Sequence, residues 1–273
     1  MSITALIAIV VGLLMLLTPF IAYNSWQKTK KLTRRADFLE SLTWVLLKVD
    51  VPRNNEKTPL AAEQLFSSIH GILRDDRVVQ EHISFEIVAN STLIQFYIFM
   101  PTHLQDFIEG QIYAQYPDVH IEKIEDYAQK APIENMVIAQ TEMTLTKEDV
   151  YPIRTFTNFE VDPLAGITAV LSKLGPQEQV WLQFCVRPVG DEWQKRGLDL
   201  VKKIRSGSDK KKSGMFVSLF KLLGDVGKEI VRPNSAVGAG ESKPVELAGP
   251  VVEALGGIEN KATKLGYEVI MRV

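Results

Sequence analysis

Cysteine is nearly absent from this chain. Cys185 stands alone within the apolar run VWLQFCV, so no intrachain disulfide can form, which suits a reducing cytoplasm. Its sequence setting reads as that of a small buried hydrophobe rather than a nucleophile. Histidine is scarce too: His70, His82, His103 and His120 are the only four, and none makes a pair at metal-ligand spacing such as H-x-x-x-H. There is no G-x-S-x-G elbow around Ser91, Ser172 or Ser218. The string nearest to a Walker A loop, Gly224-Asp225-Val226-Gly227-Lys228, lacks both the spacing and the closing Ser or Thr that would cradle phosphates and magnesium. Net charge is small, with 31 Lys and Arg against 33 Asp and Glu, which excludes a dominantly electrostatic nucleic-acid binder. These absences leave no metal, no cofactor and no catalytic constellation to expect.

Charge is absent from one long stretch as well. From Ile3 to Tyr23 no side chain is charged, and 21 apolar-rich residues suffice to cross a bilayer core as a helix. No basic residue precedes the stretch and no small-residue cleavage site follows it, so a retained anchor fits better than a signal peptide. Behind it stand Lys28, Lys30, Lys31, Arg34 and Arg35. By the positive-inside rule this collar predicts a single-pass protein of the inner or cytoplasmic membrane, its N-terminus outside and its remaining chain in the cytoplasm. The expected division is an anchor at 1–27 and a basic juxtamembrane segment at 28–42, the collar also being suited to anionic headgroups.

Beyond the collar, apolar periodicity predicts strand, helix, strand, strand, helix, strand. Thr43–Val51 reads as a strand. A helix follows Thr58-Pro59, an N-cap and a Pro at the first helical position, with Ala61, Leu65, Ile69, Ile72 and Leu73 recurring at helical spacing. Ile83–Ala89 and Leu93–Met100 form a hairpin about Asn90-Ser91. A capping box at Thr102 and Gln105 opens a second helix, and Val119–Ile124 closes the set. This is the split βαβ order of a ferredoxin-like domain, expected over 43–130. Phe96, Tyr97 and Phe99 invite comparison with RNA-stacking aromatics, but the RNA-binding signature is missing, and packing beneath the helices is the expectation. Glu122, Glu125 and Asp126 read as a solvated edge.

A second α+β domain is expected over 136–273. Its elements are strands at Met136–Thr146, Tyr151–Phe156 and Gln179–Val189, helices at Asp162–Leu174 and Asp191–Arg205, a helix near Val245–Leu265 and a final strand GYEVIMRV. The chain ends inside that strand, which fits either a docked terminal strand or the front part of a longer protein. An insertion over 206–244 contains the linker SGSDKKKSG and an amphipathic segment, Met215–Val231. Its apolar side, Phe216, Leu219, Phe220, Leu223 and Ile230, is a candidate partner-docking face. The fold class is thus α+β: a transmembrane helix followed by two ferredoxin-like βαββαβ domains, the second carrying a long insertion.

The strings VDVPRNNEKTPLAAEQLFSSIHGI, ISFEIVA and FYIFMPTHLQDFIEGQIYAQYPDVHIEKIEDY resemble an uncharacterised domain family of membrane-anchored proteins from candidate-phylum bacteria. DPLAGITAVLSKLGPQEQVWLQFCVRP is similar in style to the platform that precedes a conjugation-type, type IV secretion ATPase module. That resemblance implies a non-catalytic, membrane-anchored platform that docks a P-loop ATPase of a secretion or conjugation system; the uncharged stretch adds the lipid bilayer as a partner, and the near-zero net charge argues against nucleic acid. The alternative is a membrane-tethered enzyme whose site is assembled from scattered residues.

Overall fold

The computed structural model describes residues 3–130, 136–206 and 249–273, with side chains in the first helix from Met15 and from Thr18 onward. The insertion, and with it the candidate docking face at Phe216, Leu219, Phe220, Leu223 and Ile230, lies outside the described residues.

Helix α1 runs unbroken from Ile3 to Ser41, with Pro19 inside it. It does not stop where the uncharged stretch stops. It carries on for about five turns through Lys28, Lys30, Lys31, Arg34, Arg35, Asp37 and Glu40. Among the described residues, no helix is long and apolar enough to cross a membrane. This corrects the expectation of a transmembrane anchor at Ile3–Tyr23, and with it the single-pass topology and inner-membrane localisation. The uncharged stretch is not an element of its own: α1 continues from it into the charged collar without a break.

The chain divides into two compact units. One comprises Met1–Glu142, Ile167–Pro188 and Glu268–Val273; the other comprises Met143–Gly166 and Val189–Tyr267. In the first unit, β1 (Trp44–Asp50), α2 (Pro59–Ile69), β2 (Ile83–Asn90), β3 (Ile94–Pro101), α3 (Gln105–Gln115) and β4 (His120–Ile124) follow in turn, and α4 (Tyr127–Lys130) is a single turn. Further along the chain come β5 (Glu142–Met143), α5 (Pro163–Leu171), β6 (Gln179–Val189), α6 (Glu192–Ser206), α7 (Gly249–Lys261) and β7 (Gly266–Arg272). All seven strands share one sheet in the order β4-β1-β3-β2-β6-β7-β5. This corrects the expected pair of βαββαβ domains: the later strands extend the first sheet instead of building their own.

The register shows how. β2 pairs antiparallel with β3 on one side and with β6 on the other, so Glu86 lies between Tyr97 and Gln183. β1 pairs antiparallel with β3 and β4. At the far edge Thr141 and Val273 exchange both backbone hydrogen bonds, 2.9 and 3.0 Å, the mark of an antiparallel pair. β7 also runs antiparallel to β6, because Arg187 meets Glu268 at one end while Val273 packs against the cluster of Ala89, Leu171 and Leu182 at the other.

Strand alternation sorts the sheet into two faces. Val45, Leu47, Ile83, Phe85, Ala89, Ile98, Met100 and Leu182 share the face that takes the helices. Phe66 of α2 meets Phe85 edge-on, and Leu171 of α5 closes a cluster with Ala89 and Leu182. Leu47, Ile69, Ile83, Met100 and Ile108 are wholly buried there. One helix start follows the sequence reading and one departs from it. Thr58 occupies the N-cap of α2 with extended backbone, yet its side chain makes no capping bond. The capping box at Thr102 does not form: Thr102–Leu104 is a 3-10 turn, and the Gln105 amide donates to Glu109 instead.

The second unit is built around α6 and α7. Val201, Ile204, Val251, Leu255 and Ile258 form its core, with Tyr151 and Leu200 against it. Residues expected as a strand at Tyr151–Phe156 have none of its pairing. Pro152 has no N–H to offer a ladder, and the only regular turn nearby is the 3-10 segment Phe156–Asn158. Two glycines are fixed by packing. A Cβ on Gly257 would stand 2.9 Å from Pro152, and one on Gly266 would stand 2.1 Å from the Trp193 indole nitrogen.

Candidate functional site

Three groupings carry the chemistry that the fold assembles. The first clamps α1. Arg34 pairs with Asp76 at 2.7 Å. Arg35 donates to the carbonyls of Val78, at 3.2 Å, and Gln80. Burial, with Arg187 nearby, lowers its pKa, and Glu81 works the other way. The guanidinium groups of Arg35 and Arg74 lie 5.8 and 5.9 Å from the centre of the Phe38 ring, close enough for a cation–π attraction. Two of the five collar residues are therefore spent on the loop before β2. Lys28, Lys30 and Lys31 are exposed, with the Lys30 ammonium 5.3 Å from the Trp26 ring centre.

Beneath the clamp sits a carboxylate that sequence reading missed. Glu81 is 1% exposed. Arg74 Nε donates to Glu81 Oε2 at 2.7 Å and Arg74 Nη2 reaches Oε1, while His103 Nε2 lies 3.2 Å from Oε1. A two-pronged guanidinium–carboxylate pair is the strong form of the interaction. Gln80, equally buried, takes the Arg74 backbone N–H at 2.6 Å and gives its own amide to the Ile72 carbonyl at 3.1 Å. The dipeptide Gln80-Glu81 thereby fixes the return of the chain from α2 to β2.

The second grouping lies on the sheet face opposite the helices. Glu86, 6% exposed, receives the Tyr127 hydroxyl at 2.5 Å on one oxygen and the Gln183 amide at 3.2 Å on the other. Tyr127 stacks obliquely on Tyr97 and edge-on to Trp181, with centroids 5.3 and 4.9 Å apart. Burial first, and then the Glu86 bond, drive the Tyr127 phenol far above its ordinary pKa, so it remains a donor. Alternation along β2 placed Glu86 with the polar residues, and only pairing with β6 shows that this face is closed over it. The same face holds Trp44 stacked on Phe99 at 5.0 Å, with His82 4.9 Å from Trp44. Burial, and then the charges of Arg35, Arg187 and Arg272, hold the His82 imidazole below its usual pKa. Tyr97 and Phe99 thus pack, but not beneath the helices. Phe96, on the helix side, is 43% exposed.

The third is an apolar surface on the second unit. Met143, Leu145, Ile153, Phe159 and Val161 are exposed, Val161 by 74%. They lie in a stretch whose only turn of helix before α5 is Phe156–Asn158. Nearby, Lys261 donates to the carbonyls of Asp149, at 2.6 Å, and Tyr151, at 3.0 Å, and so pins the start of that stretch to α7.

The remaining candidates scatter. His70 ends α2, and His120 is exposed at the start of β4. No group of metal-ligating side chains forms among the described residues. Glu122 is exposed on the edge strand β4, and Asp126 accepts the Ala128 N–H at 2.9 Å. Cys185 is half-buried, its Sγ 3.6 Å from Ser84 Oγ. A shallow hollow is lined by Pro52, Asn55, Lys57, Tyr116 and Asp118, far too small for a small-molecule site.

Comparison with curated proteins finds no match, and comparison with solved structures finds none. Residues 23–214 match the family model described as a domain of unknown function, DUF8128, and the chain belongs to that family.

Proposed function

We propose that this chain is a non-catalytic docking platform for a protein partner. The observation that carries the reading is the exposed apolar series Met143, Leu145, Ile153, Phe159 and Val161. Apolar side chains exposed in series mark an interaction surface more often than scattered single ones do. Between Leu145 and Ile153 the backbone bearing them is tied to α7, where Lys261 donates to the carbonyls of Asp149 and Tyr151. The partner that the sequence resemblance suggests is the P-loop ATPase of a conjugation or type IV secretion system. A flat apolar contact with a polar rim is the usual anatomy of such an interface.

Affinity capture with the full chain tests this, using cells that encode a neighbouring P-loop ATPase. Wild type should recover the ATPase, and the double variant Ile153→Asp/Val161→Asp should recover at least tenfold less while keeping its circular dichroism spectrum. Failure to recover any such ATPase, or undiminished recovery by the double variant, would sink the reading.

A further inference from the structure

β4 stands at one edge of the sheet and β5 at the other, and residues 125–141 join them. This connection crosses the face opposite the helices, since its Tyr127 lies on Glu86 of β2, against Tyr97 of β3 and Trp181 of β6. It is longer than the crossing requires. Six strand spacings separate the edges, about 29 Å, whereas a chain of this length reaches about 56 Å when extended. Beyond α4, Val137 and Ile138 are exposed. Tyr127 seats the connection on the sheet, and the slack lets it lift with both edge strands left in place.

The seat has the chemistry of a site that reads a phenol. Tyr97 meets the Tyr127 ring obliquely and Trp181 meets it edge-on. At the floor, Glu86 Oε2 accepts the hydroxyl at 2.5 Å. Gln183 Nε2 lies 3.3 Å from the same hydroxyl oxygen and 3.2 Å from Glu86 Oε1. Both carboxylate oxygens are thus met by neutral donors. Burying a carboxylate this way is costly, and an apolar floor would serve packing alone at lower cost. A site built round a buried acceptor for a hydroxyl rejects the analogue that lacks one.

We infer that this seat is a tyrosine-recognition site, filled in cis by Tyr127 and taken by a tyrosine-bearing segment of a protein partner when Tyr127 lifts. Tyr127 itself shows what the occupant must offer: a tyrosine on a single turn of chain, here capped by Asp126 through the Ala128 N–H at 2.9 Å. The tether holds Tyr127 at high effective concentration, so the seat stays closed to weak competitors. It shares no residue with the exposed apolar series assigned to the ATPase, and neither reading needs the other.

The test uses the full chain in a mild non-ionic detergent, because residues 3–23 carry no charge. The probe is a fluorescein-labelled peptide with the sequence of residues 124–130, IEDYAQK, followed by fluorescence anisotropy. Wild type, with its seat filled, should bind the peptide at least tenfold more weakly than Tyr127→Ala does. A peptide carrying phenylalanine in place of that tyrosine should bind Tyr127→Ala at least fivefold more weakly than the parent peptide. Adding Glu86→Met to Tyr127→Ala should shrink this preference below about twofold. Circular dichroism reports whether Tyr127→Ala keeps its fold. Should it not, Tyr127→Phe carries the test, since it keeps the ring and loses the bond to Glu86. It should bind the parent peptide at least threefold more tightly than wild type does. Equal binding by wild type and the opened variants overturns the inference. So does equal affinity for the tyrosine and phenylalanine peptides, a preference untouched by Glu86→Met, or no peptide binding by either Tyr127 variant at about 1 mM.

Discussion

The two units solve the same problem by opposite means. In the first, ordered strand pairing brings residues far apart in sequence into one sheet, and the resulting core contains side chains with no exposure at all, among them Leu47, Ile69, Ile83 and Met100. In the second, two helices enclose a core of five buried residues with Tyr151 against it, while Met143, Leu145, Ile153, Phe159 and Val161 are exposed. The sheet satisfies backbone groups strand by strand. The irregular stretch depends on single ties, such as Lys261 to the carbonyls of Asp149 and Tyr151 and Arg196 to Asp149. The difference teaches that the first unit is organised to persist and the second to present.

The largest expected break is in the first core. Ile83→Ala removes a wholly buried side chain and should cost about 3–4 kcal/mol, read as a lower denaturation midpoint with an unchanged slope. Its counterpart Leu255→Ala, 2% exposed, should speed hydrogen exchange in α6 and α7 while β1, β2 and β3 keep their protection. Equal loss in both units would erase the contrast.

Next in size is the buried ion pair. Arg74→Met leaves the Glu81 carboxylate with His103 beside it and the Arg35 charge farther off, and should cost about 2–3 kcal/mol, less than a fully buried pair because Arg74 is half exposed. The double variant Arg74→Met/Glu81→Met should recover part of that loss; equal losses would show that the charge pair is not the source. On the opposite sheet face, Tyr127→Phe takes one donor from Glu86 and should cost about 1–2 kcal/mol, measurable by urea titration.

A smaller effect is a pH slope. His82 has a folded-state pKa below its ordinary 6.5, so the unfolded chain binds more protons in the window between the two values. Its contribution to stability is complete above about 6.5 and is lost as pH falls through the lower, folded value. His82→Gln should flatten the stability profile on the acid side of neutrality, and an unchanged slope there would remove His82 from the account. Smallest is Ile153→Asp in the second unit, expected to shift stability by less than about 0.5 kcal/mol. A larger loss would show that this side chain packs rather than presents.

Much of the local structure was legible. Gln179–Val189 is a strand over the very residues expected, because β-branched and aromatic residues run between a Gly-Pro turn and a glycine. β1 and β3 differ from the reading by a residue at their ends. What could not be read was long range. Nothing in the alternation of Ser84, Glu86 and Val88 says that Cys185, Gln183 and Trp181 lie beside them, so one sheet was taken for two. The expected strand at Met136–Thr146 survives only as Glu142–Met143, because a strand exists only where a partner edge meets it. Glu81 and Glu86 were missed for the same reason: a carboxylate is buried by its partners, and those stand seven to 97 residues away. The uncharged run at Ile3–Tyr23 shows the opposite error, a local signal read as a separate element when the helix continued through the collar.

That helix has a mechanical consequence. Thirty-nine residues of α-helix span about 58 Å along the axis. Arg34 and Arg35 hold it near its C-terminal end, through Asp76 and the carbonyls of Val78 and Gln80. The grip is on the short arm of a lever. A tilt of about 5° at the grip moves the distal tip, about 47 Å away along the axis, by about 4 Å. Small rearrangements around Glu81 would thus be magnified into displacements wide enough to be felt by whatever the far end touches.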